Sequence, residues 1–208
     1  MRKVTLAFVL WPVVASCVPI LAQTTGFTLK RYLAPQYTAP EEAPSRVVIA
    51  GRDEPGERLI VTGRTLDGNK PVTGVSLYVF HTDVKGRYAI DTDNRAGEFN
   101  PRLHGLLRTD AEGRYQYETT RPGSYDGGPA HVHYVVNARG YKPLLLALQF
   151  QDDPIVVRLV KGGTLLLNPD AFKNGPCKSR PDCVLTQPVE RDSQGVSHVI
   201  RDIQMVRQ

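Results

Sequence analysis

Short runs of alternating apolar and polar residues dominate the chain from Glu57 onward. Residues 59–64 alternate in this way, residues 75–80 form a second β-rich run, and Asp67-Gly68 supplies a turn between them. Further runs of the same kind cover residues 115–119, 131–138, 144–150 and 196–206. No long stretch keeps a helical period. Short strands separated by Gly, Asp and Pro turns predict an all-β fold, an antiparallel β-sandwich with few or no helices.

Residues 23–55 break this pattern, because they lack periodic apolar positions and contain four prolines. Such a segment is typical of an extended arm. At 208 residues the chain is long enough for one domain with a substantial core. We therefore expect a leader over residues 1–22, an N-terminal arm over residues 23–55 and a β-sandwich domain over residues 56–208.

The leader has the features of a targeting segment. Arg2 and Lys3 precede an apolar run over residues 5–16, which is too short to remain as a membrane anchor. Cleavage by ordinary signal peptidase would follow Ala22, whereas residues 14–17 resemble a lipoprotein box that would leave Cys17 lipidated. Both routes export the domain to the periplasm, the cell envelope or the exterior, and a lipid on Cys17 would be its membrane attachment.

Two further cysteines, Cys177 and Cys183, lie six positions apart. In an oxidising compartment such a pair is expected to form a structural disulfide. A metal site is a weaker interpretation, because no third or fourth soft ligand lies nearby.

The charge pattern indicates which partners to expect. The formal net charge of +5 falls by two when Arg2 and Lys3 are removed with the leader, and no Lys/Arg-rich block is present. A mildly basic, solvated surface fits this pattern, and nucleic acid is not an expected partner.

Candidate chemistry is concentrated in residues 122–133. On a β-strand, residues i and i+2 project to the same face, so His131 and His133 can point at one metal ion. Alone, such a pair is more often two polar residues on a solvated strand face. The motifs around this pair favour a metal site instead; they are Gly86-Arg87-Tyr88 and Pro122-Gly123-Ser124-Tyr125.

Taken in order, these motifs resemble a known family. Residues 57–154 are similar to the catalytic domain of the intradiol ring-cleavage dioxygenases, the group of protocatechuate 3,4-dioxygenase and catechol 1,2-dioxygenase. The resemblance rests on a strand at residues 61–63, a turn at 67–68, the Tyr88 and Tyr125 motifs, residues 110–113, and Pro129-Ala130-His131-Val132-His133. It implies the intradiol type of β-sandwich.

The resemblance also implies a non-haem Fe(III) centre. Tyr88 and His131 would be its equatorial ligands, and Tyr125 and His133 its axial pair. The donor types suit ferric iron, because phenolate is a hard, strongly donating anion and neutral imidazole tolerates either oxidation state. A nearby cation lowers a tyrosine pKa that is ordinarily near 10.

An activity follows from the same resemblance. A catechol substrate would bind as a chelating dianion and displace Tyr125, which would then take up a substrate proton. Reaction with O2 would open the ring between the two hydroxyl-bearing carbons and give a cis,cis-muconate-type diacid, with no organic cofactor. Residues 23–55 contain no counterpart of the helical segment through which catechol-type enzymes dimerise.

Three features depart from the family pattern. Gly128 occupies the position of an arginine that stabilises charge on the substrate. A site-lining glutamine aligns with Ala147, or with Gln149 if the alignment slips. The loop of residues 126–130 is short, which predicts an iron site more open to solvent. Cations that could replace the arginine are Arg87, Arg121 and Arg139.

Alternative functions follow from these departures. One is a non-catalytic exported β-sandwich that binds metal, phenol or carbohydrate, and another is a protein that holds iron or copper for storage or capture.

Three further histidines are not expected to bind the metal. His81 is interpreted as structural, and His198 lies outside the matched region. His104 lies in a loop and could border the substrate site, although a loop histidine is more commonly a surface residue.

Overall fold

The computed structural model describes residues 29–89, 97–162 and 185–208. The leader, Cys17, and the expected Cys177–Cys183 disulfide lie outside the described residues. No helix in the described ranges is long and apolar enough to span a membrane.

Twelve strands and one complete α-helix lie in the described ranges, and residues 29–31 are also helical. The strands are β1 (Arg46–Val48), β2 (Arg58–Asp67), β3 (Lys70–Pro71), β4 (Ser76–His81), β5 (Leu103–Arg108), β6 (Arg114–Thr120), β7 (His131–Asn137), β8 (Leu144–Phe150), β9 (Leu185–Gln187), β10 (Glu190–Arg191), β11 (Ser197–Ile200) and β12 (Ile203–Gln204). A 3₁₀ turn covers Pro35–Tyr37, and the helix α1 covers Pro154–Lys161.

The strands form two sheets that pack face to face. One sheet has the order β1-β6-β2-β11-β10, with β3 and β12 also paired to β2, and the other has the order β5-β4-β7-β8-β9. Alternate residues of β2, such as Leu59 and Val61, meet Leu77 of β4 and Val132 of β7 in the core between them. The predicted β-sandwich is therefore confirmed.

Several strand pairs are parallel, which the antiparallel prediction did not include. β1 pairs parallel with β6, β11 and β12 pair parallel with β2, and β9 pairs parallel with β8. These strands come from the arm and from the C-terminal region, and they join strands that are distant in sequence, which hairpins cannot do.

The predicted closing strand over residues 196–206 is divided into β11 and β12. Arg201 lies between them and is only 2% exposed, and its N–H donates to the Thr62 carbonyl. An ideal Cβ on Gly63 would lie 2.0 Å from the Arg201 carbonyl oxygen, so only glycine allows this approach.

The outer face of the five-stranded sheet is also buried. All six residues of β4 are buried, because odd positions face the core and even positions face an outer aromatic cluster. The members of this cluster are Tyr32, Tyr37, Tyr78, Phe80, Tyr88 and Val135. Tyr32 and Tyr37 belong to the arm, so the arm covers this face, and its β1 extends the other sheet.

Candidate metal centre

Four side chains predicted to act together do converge on the outer face of the five-stranded sheet. The Tyr88 hydroxyl lies 2.8 Å from the Tyr125 hydroxyl, which lies 3.1 Å from Nε2 of His131. Nε2 of His131 in turn lies 2.9 Å from Nε2 of His133. We call these four residues the Tyr/His cluster.

Strand β7 presents the two histidines. His131 and His133 lie on its outer face, while Val132 between them enters the sandwich core. Across the sheet, Phe80 of β4 pairs with His133, and its ring stacks on the imidazole at 4.8 Å and 18°. Two central strands therefore hold the histidines: β7 carries both of them, and Phe80 of β4 packs on His133.

Tyr88 is placed by a tight turn after β4. The Asp83 carboxylate accepts hydrogen bonds from the backbone N–H groups of Lys85 and Arg87 and from the Arg87 guanidinium. Gly86 has φ +74, and a Cβ there would lie 2.3 Å from the Ser124 carbonyl oxygen. A glycine at this position thus lets the turn pack against the segment that carries Tyr125.

Tyr125, in contrast, lies on a loop. The following residue, Asp126, has φ 49, and the Gly128 N–H donates to the Tyr125 carbonyl at 2.9 Å. The short loop of residues 126–130 is thus a compact turn, and Asp126 and Gly127 are exposed. Of the four cluster residues, Tyr88 is almost fully buried, whereas Tyr125 is half-buried.

Burial keeps all four side chains neutral in the absence of a cation. It raises the pKa of Tyr88 far above its usual value and raises the pKa of Tyr125 to about 12. It lowers the pKa of His131, and it lowers the pKa of His133 further, with His131 and His81 adding to the effect. A buried ionised group is costly without a partner of opposite charge.

The donor atoms fit a metal ion. Nδ1 of His131 lies 2.8 Å from the Pro129 carbonyl oxygen and must donate to it, so Nε2 carries a lone pair. Two donor atoms that each lie about 2 Å from one metal are separated by about 3 Å. In the described part of the chain, His, Cys, Asp and Glu form no metal-binding group of three. A metal here would therefore require the two tyrosines.

The three candidate replacement cations occupy other positions. Arg87 binds Asp83, Arg121 binds Asp152 and lies over the Phe150 ring, and Arg139 lies beyond the far end of β7. An ideal Cβ on Gly128 meets only the Tyr125 carbonyl oxygen, at 3.6 Å. The position of the family arginine is therefore open space beside Tyr125.

Strand register places both positions considered for the family's glutamine near the cluster. On β8, Ala147 pairs with His133 and Gln149 pairs with His131, and these residues point to the outer face. Gln149 is 8% exposed. Its amide therefore lies beside the first histidine, two residues along the strand from the position that the family alignment gives.

The other histidines lie apart from the cluster. His81 faces the sandwich core, where its ring nitrogens contact the Thr82 carbonyl and the Thr119 hydroxyl at 2.7 Å, in agreement with a structural role. His104 lies within β5, not in a loop, and its Nδ1 contacts the Pro101 carbonyl. His198 contacts Asp192.

Sequence reasoning missed the supports around the cluster. Phe80 stacks on His133, and the Asp153 carboxylate accepts a hydrogen bond from the N–H of Ala130, immediately before His131. Tyr32 of the arm packs on Phe80 at 5.2 Å and donates to Glu98. The proline-rich composition of the arm gave no periodic signal for its buried tyrosines.

Known dioxygenases are similar to this chain in sequence. A family model described as dioxygenase matches residues 32–180. The protocatechuate 3,4-dioxygenase beta chain of Burkholderia cepacia is 32% identical over 144 residues, which are 62% of this chain and 61% of that protein. Hydroxyquinol 1,2-dioxygenase of Rhizobium sp. (strain MTP-10005) is 32% identical over 123 residues, 50% of this chain and 41% of that protein. The chain thus spans 41% to 61% of these relatives' length.

Solved structures share the fold. The dioxygenase domain of a dioxygenase carbohydrate-binding protein fusion from Streptomyces sp. SirexAA-E has a TM-score of 0.57 at 22% identity, and the match covers 81% of this chain and 92% of that domain. The intradiol ring-cleavage dioxygenase from Tetranychus urticae has a TM-score of 0.53, covering 80% and 89%. Both resemble this chain over most of their own length.

Proposed function

Because this chain belongs to the intradiol ring-cleavage dioxygenase family, whose model matches residues 32–180, we propose that it opens catechol-type rings with O2 at a non-haem Fe(III) held by the Tyr/His cluster. The observation that carries the proposal is the convergence of two phenol oxygens and two imidazole nitrogens, linked by distances of 2.8 to 3.1 Å. The proposed product is a cis,cis-muconate-type diacid.

The donor set defines the chemistry available. Tyr88, Tyr125, His131 and His133 would hold the iron. Bound ferric iron would draw electron density from a chelated catechol and make the ring reactive toward O2. A cation at this point would also stabilise the phenolate forms that burial otherwise disfavours.

Tyr125 is the cluster residue best suited to move a proton. It is half-buried on a compact loop, whereas the two histidines lie on a central strand and Tyr88 is packed in the outer aromatic cluster. A Tyr125 phenolate displaced by substrate would lose the cation that stabilises it, so its oxygen would favour the protonated form. It would take up a catechol proton at that oxygen, which assists formation of the substrate dianion.

The side chains around the Tyr/His cluster would orient the ring of a bound catechol. Phe80 and the aliphatic and aromatic side chains of the outer aromatic cluster exclude water behind His133. Gln149 offers an amide beside His131, and Gly128 leaves the opposite approach open. This arrangement favours a planar phenolic ligand and supports a site open to substituted catechols.

Oxygen uptake and product mass test this function together. With iron-loaded protein and a panel of catechols, we expect one O2 consumed per substrate and a ring-opened diacid that contains both oxygen atoms from ¹⁸O2. Iron binding without O2 uptake on any catechol would instead favour a protein that holds metal without turnover. Oxygen uptake that yields only quinone would exclude ring cleavage.

We further propose that the enzyme is exported, since residues 1–22 have the order of a cleaved leader. Mass spectrometry of the mature protein tests this. A chain beginning at Gln23 or at a lipidated Cys17 is expected, and a chain that retains the leader after expression in its own host would contradict export.

A further inference from the structure

Asp153 is a buried carboxylate between the helix α1 and the histidine strand. It is 3% exposed and directly precedes Pro154, the first residue of α1. Among the described residues, every hydrogen-bond donor to this carboxylate is a backbone N–H. Hydrogen bonds from backbone N–H groups to a carboxylate are charge-assisted and stronger than those between neutral groups.

Its two oxygens are directed to different elements. Oδ1 accepts from the N–H groups of Ile155 and Val156 at 2.8 and 3.3 Å, which is helix N-capping. Oδ2 accepts from the N–H of Ala130 at 3.2 Å. Helix capping needs only the first oxygen, so the second contact is an additional function of this side chain.

The second contact acts on the segment that sets the His131 ring. Ala130 is 4% exposed, and its N–H would lack a partner at this position without Asp153. The Ala130 N–H and the Pro129 carbonyl belong to one peptide unit, and this carbonyl accepts from Nδ1 of His131. The carboxylate therefore holds the peptide unit whose carbonyl orients the His131 ring.

The charge of Asp153 also reaches His131. Its carboxylate acts on the imidazole electrostatically. A negative charge behind a ligand favours a metal cation bound to the free nitrogen of that ligand. Supports of this kind typically change metal affinity by about 10- to 100-fold when removed.

We propose that Asp153 is a positioning residue for the metal centre, holding Pro129-Ala130-His131 so that Nε2 of His131 faces the metal position. The part of this proposal that concerns the metal rests on the proposed function. Asp153 thus has two roles, capping α1 and holding the His131 segment, and we expect substitution to separate them.

Asp153→Asn and Asp153→Ser separate the roles. Asparagine and serine are both good N-caps, so α1 is retained. Neither carries a charge, and neither can cap the helix and accept from Ala130 at once. We expect iron affinity, measured by competition with a chelator, to fall about 10- to 100-fold in both variants. The unfolding midpoint of the metal-free protein should also fall, because the buried Ala130 N–H loses its partner.

Two control variants isolate the effect. Asp152→Asn removes the neighbouring carboxylate, which pairs with Arg121 and Arg191 at the surface, and it should leave iron affinity within about twofold. Val156→Ala weakens the packing of α1 without touching Ala130, since Val156 is fully buried. It should lower the unfolding midpoint of the metal-free protein and leave iron affinity nearly unchanged.

Amide hydrogen exchange in the metal-free protein makes the test independent of iron. The Ala130 N–H should exchange at least tenfold faster in both Asp153 variants than in the wild type. Unchanged exchange would overturn the inference, as would faster exchange with wild-type iron affinity, or an equal loss of iron in Val156→Ala. A wild-type protein that binds no iron would contradict the proposed function and the metal part of this inference, while the exchange data would still decide whether Asp153 holds the segment.

Discussion

At the scale of single residues, burial acts in opposite directions on the two kinds of side chain in the Tyr/His cluster. It raises the pKa of both tyrosines and lowers the pKa of both histidines, so the cluster is uncharged near neutral pH. Iron binding through two phenolates must then release two protons. The affinity for a ferric ion is therefore expected to rise with pH.

Gly128 offers a gain-of-function test at this scale. A Cβ there has room beside Tyr125, and the family has an arginine at this position that stabilises charge on the substrate. Gly128→Arg is expected to raise kcat/KM for catechol by about tenfold or more, measured by O2 uptake. Gly128→Gln supplies similar bulk without charge and should give no such gain; equal rates for the two variants would contradict an electrostatic origin.

His81 should make stability depend on pH. Burial lowers its pKa to about 4, whereas an unfolded histidine titrates near 6.5. Between these values the unfolded state binds the extra proton, so the free energy of unfolding falls as pH falls, by about 3 kcal/mol in total.

The variant His81→Asn removes this titration. Urea unfolding of the metal-free protein at a series of pH values should show a shallower loss of stability from pH 6.5 to 4 than in the wild type. A slope identical to that of the wild type would show that His81 is not neutral in the folded protein.

At the scale of elements, the arm is part of the folded structure. Tyr32 is 1% exposed and contacts Tyr37, Tyr78, Phe80 and Phe99, and the family match begins at this residue. Sequence reasoning treated residues 23–55 as an arm because single aromatic residues among prolines have no period. Their burial depends on the outer face of a sheet formed 40 or more residues later.

Substitution of Tyr32 measures what the arm contributes. Tyr32→Ala removes a buried ring and its hydrogen bond to Glu98, so it should lower the free energy of unfolding by about 3 to 5 kcal/mol. Leu33→Ala, at the adjacent position that is 42% exposed, should change it by less than about 0.5 kcal/mol. Equal effects in a denaturant titration would show that the arm is not docked.

The strands that carry the site were the most predictable elements. Alternation predicted the inward and outward faces of β7, and hence that His131 and His133 share a face. The placement of Tyr88 and Tyr125 came from resemblance, because no local pattern joins residues 37 positions apart. Neither the alternation nor the resemblance could show that Arg121 is bound by Asp152 or that Asp153 contacts Ala130. Both contacts depend on how β8 and α1 pack.

At the scale of the whole molecule, the two faces of the five-stranded sheet have different roles. The inner face joins the other sheet in an apolar core, and the outer face holds the Tyr/His cluster next to the outer aromatic cluster that the arm covers. Because inner and outer residues alternate along β7, the core rigidly fixes the strand that presents the histidines. Both tyrosines lie outside the strands, but Tyr125 is half-buried whereas Tyr88 is 1% exposed, which agrees with the proposed release of Tyr125.

Whether the Tyr/His cluster binds ferric iron is tested most simply by the visible absorption spectrum of the iron-loaded protein, because tyrosinate bound to ferric iron absorbs visible light. We expect a red-brown protein whose absorption band shifts when catechol is added without O2. Tyr88→Phe, Tyr125→Phe, His131→Ala and His133→Ala should each weaken the band or lower iron content. Tyr78→Phe, a member of the outer aromatic cluster outside the Tyr/His cluster, should retain the band. A colourless wild-type protein after iron reconstitution would contradict the account.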